Sequence, residues 1–401
     1  MAKRERIIWI DQLRSIAFFF VILGHVALPK EWQSLIYSFH MPLFFMISGL
    51  TVNREKMVQI SLKEYILDQV QKLLVPYFWM QFLMFPLWYF AFHYITQSTE
   101  LTIKQAFIGI FVGNNQILGA PSNALWFLLV LFLANILYVS LVKIAKGKEE
   151  ILFVLILLCS LIGYADRGIP QIWHFNIAFT AVVFMYIGNS FMKWYSNRGK
   201  FLRGKTKIFV VVICLCIGLI SHEMNGRISM TANKFGKSLL LFYITSICFS
   251  LVISLIVIQI PYIKSITYIG QNTLLYVGIH IPILRIFEKM FPSILMQPKY
   301  SILFAIVLYF GIAPICMLFN RYAPYVCGRK LSKKSIATEV VKVCLIAFGI
   351  MIPYFKTVKT VGVAQSVGMV ILLMLVCSIC ITVLFNRFIP FVFYQKRSTE
   401  K

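Results

Sequence analysis

Acidic residues are scarce in this sequence: 14 Asp and Glu stand against 39 Lys and Arg, and charged residues make up only 13% of its 401 positions. A soluble globular protein carries roughly 25%, so the composition argues against a soluble enzyme. A basic soluble chain would point to nucleic acid. Here, however, 60% of the residues are hydrophobic, they come in long runs, and the basic residues sit between the runs. That pattern reads as membrane orientation, with no nucleic-acid partner. Cysteine is sparse too, at nine residues. Cys159, Cys214, Cys216, Cys248, Cys316, Cys344, Cys377 and Cys380 lie inside apolar runs and read as small hydrophobes. Cys377 and Cys380 form a CxxC, but no His or acidic residue is nearby, so no metal site is expected. A six-plus-six repeat between the halves is also missing, which weighs against a transporter. The one echo, LFNRYAPYV at 318–326 and LFNRFIPFV at 384–392, reads as a shared Asn-Arg-aromatic-Pro helix stop.

What the sequence does have is apolar length. A membrane-crossing helix needs about 20 mostly apolar residues. About twelve such runs occur, centred near residues 18, 43, 84, 134, 158, 183, 214, 248, 281, 311, 346 and 378. The expected fold is an all-α, polytopic integral membrane bundle. The first run resembles a secretory signal, but Asp11 and Arg14 interrupt its apolar core, so it is read as retained. Alternate loops hold Lys3, Arg4 and Arg6; Arg54, Lys56, Lys63 and Lys72; Lys143, Lys146 and Lys148; the basic residues from Lys193 to Lys207; and Arg329, Lys330, Lys333, Lys334, Lys396 and Arg397. These loops, and with them both termini, are placed in the cytoplasm. The opposite set, which includes Lys30, Arg167, Arg227 and Arg285, is more dispersed. Residues 53–72 have helical apolar spacing and predict a helix at the cytoplasmic interface. The outer segment from Gln97 to Ser122 is read as an ordered loop, with a re-entrant lid as its alternative.

Ionisable residues inside apolar runs are expensive and are functional candidates by default. The first run carries three: Asp11, Arg14 and His25. At about 100° per residue, eleven steps from Arg14 to His25 make three turns plus about 20°, and Asp11 returns to within about 40° of the same face. At about 1.5 Å per residue, Arg14 and His25 stand some 16 Å apart along the axis. Such a stripe suits a channel in which an anionic group binds inside and chemistry happens further out. Arg14 also suits pairing with Asp11, three residues away, and the two readings are compatible. His25 is equally readable as an interhelical hydrogen bonder. The second run returns through SFHMPLFFMISGL, which predicts His40 at the level of His25, Ser48 and Gly49 deeper, and Pro42 near the helix start. Gly49 reads as a close-packing residue. Asn272, Tyr276 and His280 lie one turn apart in the ninth run, to bind substrate or to join helices. His93, His174 and His222 fall at span ends or in outer loops and are expected to be solvated. Asn123, Trp126, Trp173 and His174 are open to two readings, stacking on a sugar or anchoring at the membrane boundary.

Six segments carry a resemblance: RIIWIDQLRSIAFFFVILGH, FHMPLFFMISG, KLLVPYFW, ALWFLLVLF, FMYIG and YIGQNTLLYVGIH. Their order and spacing resemble the membrane acyltransferase 3 family, and among its members the stand-alone sugar O-acetyltransferases similar to fucose 4-O-acetylase. The resemblance implies a ten-span core, placed at residues 1–330, with 331–401 as an additional hairpin. It implies an enzyme of the plasma (inner) membrane that moves an acyl group, most often acetyl, from cytoplasmic acyl-CoA to a hydroxyl of a cell-envelope carbohydrate. Acetyl-CoA is then a donor substrate, and no permanently bound cofactor is expected. Arg14, with Asp11 and Lys72, would hold the donor; His25, helped by His40, would carry the chemistry. Ser48, Trp126, Asn272, Tyr276 and His280 stand as acceptor-site or structural polar residues. Asp11 is too far from His25 along the helix to orient it, so an orienting partner must come from elsewhere. The rival reading is a transporter or lipid-linked sugar flippase without transferase activity.

Overall fold

The structure is a computed structural model that describes residues 7–89, 100–198, 204–295 and 297–322. The two last expected spans, the second copy of the LFNR echo, Cys344, Cys377, Cys380 and His93 lie outside the described residues. Within them the chain is helical: α1 Ile8–His25, α2 Lys30–Leu50, α3 Arg54–Gln59, α4 Leu62–Gln69, α5 Val75–Leu87, α6 Ile103–Val112, α7 Trp126–Ala145, α8 Glu149–Ala165, α9 Phe175–Arg198, α10 Lys205–Asn225, α11 Leu239–Val257, α12 Lys264–Gln271, α13 Thr273–Met290, α14 Pro292–Leu295 and α15 Pro298–Tyr322. A helix therefore lies at each of the first ten expected positions. Six among the described residues are long and apolar enough to cross a membrane: Ile8–His25, Asn123–Ala145, Ile172–Asn197, Lys205–Asn225, Leu239–Val257 and Pro298–Arg321. The molecule is a multi-pass membrane protein.

The chain forms two compact units, one of residues up to Ile66 with Val130–Phe310, the other of Leu67–Leu129 with the residues from Gly311 on. In the first unit α1 packs against α2, α11, α12 and α13, and α2 packs against α1, α9 and α11. The α2–α9 crossing is close because two glycines face it. A Cβ at Gly49 would overlap the Met185 carbonyl, and one at Gly188 would overlap that of Met46. Gly49 thus has the packing role that its sequence context predicted. Arg54 ties four helices together at one end of this unit. Its Nη1 donates to Glu149 Oε2 (2.5 Å), its Nε donates to the Tyr138 hydroxyl (3.1 Å), and its guanidinium lies 5.0 Å from the Tyr186 ring centroid.

Several local expectations are corrected. α2 starts at Lys30, directly after the short link Val26–Pro29, so Pro42 lies in its interior and not near its start. Proline cannot donate to the carbonyl four residues back. The carbonyl of Ser38 is instead taken by the Ser246 hydroxyl of α11, at 2.5 Å. Residues 53–72 form two short helices and not one, because Ile60 turns extended (φ −68°, ψ 144°) and ends α3. In the second unit, the segment read as a loop contains a true helix, α6. Thr102 and Gln105 form a reciprocal capping box at its start, and Gly113 ends it at φ +62°. The Tyr77 hydroxyl donates to the Ile110 carbonyl (2.7 Å), and Gln81 bonds both the N–H and the C=O of Ser122 (3.1 and 3.0 Å), fixing this segment on α5. Finally, His174 and His222 are buried, not solvated. His174 follows Trp173 in a tight turn whose two residues both take positive φ (56° and 50°).

Candidate active site

The apolar run from Ile8 folds as one unbroken helix, so the stripe of Asp11, Arg14 and His25 forms as its spacing dictates. α12 and α13 lie along that stripe in the same direction, and contacts occur in order along both.

At the Asp11 end, a Cβ at Gly270 would overlap the Asp11 carbonyl, so α12 approaches as closely as backbones allow. The Asp11 carboxylate accepts from Arg14 Nη1 at Oδ1 (3.1 Å) and from Gln271 Nε2 at Oδ2 (3.3 Å). The Asp11 side chain is 2% exposed, against 30% for Arg14. A charge that deep persists only when paired. Asp11 therefore positions Arg14, while Arg14 presents part of its guanidinium to the surroundings. Next to them the Gln12 amide clamps the chain entering α12: Oε1 accepts from the Ile263 N–H (3.1 Å) and the Thr267 hydroxyl (3.3 Å), and Nε2 donates to the Pro261 carbonyl (3.2 Å). A lone glutamine between Asp11 and Leu13 gave no hint of this in sequence. One turn on, Ser15 shares a 2.7 Å hydrogen bond with Tyr309.

The middle of the stripe is aromatic. Phe18 meets Tyr276 edge-on (centroids 5.4 Å) and His280 edge-on (5.2 Å). His280 in turn meets His25 at 5.4 Å, with the two imidazoles nearly perpendicular at 88°. The nitrogens of these rings are not equivalent. His25 Nδ1 lies 2.8 Å from the Val21 carbonyl; His280 Nδ1 lies 3.0 and 2.9 Å from the Tyr276 and Val277 carbonyls. A carbonyl oxygen can only accept, so in both rings Nδ1 carries the proton and Nε2 holds the lone pair. The partner that orients His25 is thus a backbone carbonyl of its own helix, and no carboxylate is needed. His280 is fully buried and its Nε2 has no hydrogen-bond partner. A buried acceptor without a donor is costly.

The other expected site residues divide. His40 has the same local arrangement, with Nδ1 2.8 Å from the Ile36 carbonyl. Its ring meets that of Tyr37 edge-on, with centroids 5.2 Å apart. Its neighbour Phe39 meets Phe20 at 5.0 Å. The residues of α2 that reach the His25 end are Gln33 and Tyr37, which both donate to the Gly24 carbonyl (3.2 and 3.0 Å). Ser48 donates to Asn135 (2.7 Å), and Asn272 donates to the Tyr268 carbonyl (2.7 Å) where α12 gives way to α13. Trp126 opens α7 beside Phe127, and Trp173 contacts Phe132. Lys72 belongs to the second unit, where it pairs with Asp68 at 2.6 Å. No group of acidic, His and Cys side chains suited to a metal occurs among the described residues.

An acyltransferase domain, that of the acyltransferase 3 family, matches residues 7–321. The chain belongs to this family. The acyltransferase domain thus spans α1 to α15 and contains the whole Asp11–His25 stripe and its α12–α13 partner. No curated protein and no solved structure matches the chain. Membership makes the protein a membrane acyltransferase and favours that reading over a transporter or flippase.

Proposed function

We propose that the protein is an O-acyltransferase of the plasma membrane. It moves an acyl group, acetyl in the first instance, from cytoplasmic acyl-CoA to a hydroxyl of a cell-envelope carbohydrate. The observation that carries this reading is the pair of perpendicular imidazoles, His25 and His280, whose Nδ1 atoms are both held by backbone carbonyls within an acyltransferase domain.

Arg14, oriented by Asp11, receives the anionic part of the donor through charge-assisted hydrogen bonds. The pantetheine arm spans the roughly 16 Å that separate Arg14 from His25. At the far end His25 Nε2 takes the proton of the acceptor hydroxyl, whose oxygen attacks the thioester carbonyl. A carbon–oxygen bond forms, the carbon–sulfur bond breaks, and the thiolate leaves with the proton that His25 returns. While His25 is charged, the Nε2 lone pair of His280 is the neighbouring acceptor that supports it. His40, whose ring touches Tyr37, assists at second hand.

The test uses purified protein in nanodiscs, labelled acetyl-CoA and envelope glycan. His25→Ala should abolish label transfer while leaving membrane insertion intact; near-normal transfer by that variant would overturn the assignment.

A further inference from the structure

His25 occupies the last residue of α1, the least secure place on a helix. After it Val26 turns extended (φ −92°, ψ 166°). The last four carbonyls of a helix have no partner within it, and a left-handed residue beyond the end commonly folds the chain back to satisfy them. None of residues 26–29 takes a positive φ, so α1 has no such cap. Helix ends of this kind fray. Fraying would carry the His25 ring off its line, because Nδ1 reaches the Val21 carbonyl across that same last turn.

Two side chains of α2 supply what the end of α1 lacks. Gln33 Nε2 and Tyr37 Oη, one turn apart, both donate to the Gly24 carbonyl, the one that joins directly to the His25 N–H. A carbonyl oxygen has two lone pairs, so it can accept both bonds at once. On the turn between the two donors Ile36 lies against Gly24, its Cγ2 3.5 Å from the place a Cβ would take. The Tyr37 ring is backed in turn by His40, which is 2% exposed and held through Nδ1 by the Ile36 carbonyl. A continuous chain of contacts therefore runs from His40 through Tyr37 to the backbone that carries His25.

We propose that Gln33 and Tyr37 are positioning residues of the acyl transfer: together they pin the last turn of α1 and so keep the His25 ring opposite His280, while His40 acts by backing Tyr37. The inference deepens the reading proposed above and rests on it for the chemistry of His25, though not for the pin.

The test pairs a readout that needs no turnover with one that does. Protein in nanodiscs is followed by hydrogen exchange with mass spectrometry over residues 22–25, whose amides exchange when the last turn opens. The same samples, supplied with labelled acetyl-CoA and envelope glycan, give kcat and KM. Gln33→Met and Tyr37→Phe each leave one donor on the carbonyl and should speed that exchange less than about fivefold. The double variant should speed it at least about tenfold, more than the product of the singles, with α11 unchanged. Its kcat should fall about tenfold or more while KM for acetyl-CoA stays within about twofold, since Arg14 lies at the other end of α1. His40→Ala should lower kcat in the wild type and by less than about twofold in the Tyr37→Phe background. Unchanged exchange in the double variant, faster exchange with an unchanged kcat, or a loss carried by KM would overturn the proposal. An undiminished effect of His40→Ala beside Tyr37→Phe would overturn the part given to His40. A wild type that transfers no acetyl would remove the transferase reading and leave the exchange measurement to decide the pin.

Discussion

His25 and His280 are presented to each other with their lone pairs on the same type of nitrogen, and each tautomer is fixed by a backbone carbonyl of its own helix. This arrangement ranks the histidines. His25→Ala should lower kcat by about 10²-fold or more, the usual worth of a general base. His280→Ala should cost more than His40→Ala, because only His280 touches the His25 ring; steady-state kinetics on the three variants at matched membrane yield would show it. In the proposed mechanism Arg14 acts on the donor instead. Arg14→Ala should raise KM for acetyl-CoA about tenfold or more, and Arg14→Lys should recover it in part only, because lysine lacks the planar fork. The stripe itself was legible in sequence, since eleven residues of helix return to one face whatever surrounds them. The identity of the ring beside His25 was not. It depends on how α13 is placed along α1, which is set by the contact of Gly270 with the Asp11 backbone, between residues more than 250 positions apart.

The helices show where local signals end and tertiary contacts take over. Apolar runs located the long helices, but the start of α2 was missed because KEWQSLIY is polar enough to pass for loop. Pro42 was consequently read as a helix-start residue, whereas α11 completes the broken hydrogen bond through Ser246. Ser246→Ala should therefore destabilise the bundle by about 1–3 kcal/mol, the cost of an orphaned buried carbonyl, measurable by thermal unfolding in detergent. Backbone contacts at glycine are stricter. Gly270→Ala pushes α12 off α1 and should lower both stability, by about 1–3 kcal/mol, and affinity for acetyl-CoA, since Gln271 and Asp11 shift with it. Gly49→Ala, at the α2–α9 crossing, should lower stability by a similar amount with less effect on donor affinity. Comparing donor titrations of the two variants separates the α1–α12 contact from packing in general.

At the scale of the molecule, composition and the distribution of Lys and Arg read this chain as a membrane bundle. The described residues are helical with six candidate spans, and the acyltransferase domain covers residues 7–321. The scarcity of acid now has a local meaning as well. The one acid of the stripe, Asp11, is committed to Arg14. The family match ends at residue 321, so a chain truncated after residue 330 should insert and retain transfer, which a labelled-acetyl assay on membranes would check. Orientation follows from the account in the same way: the Arg14 end must meet the donor in the cytoplasm and the His25 end the acceptor. The most direct measurement places the protein in sealed proteoliposomes with labelled acetyl-CoA on the Arg14 side only and acceptor glycan on the His25 side only. The account predicts labelled glycan from the wild type and none from His25→Ala. Equal labelling by the two proteins would contradict it.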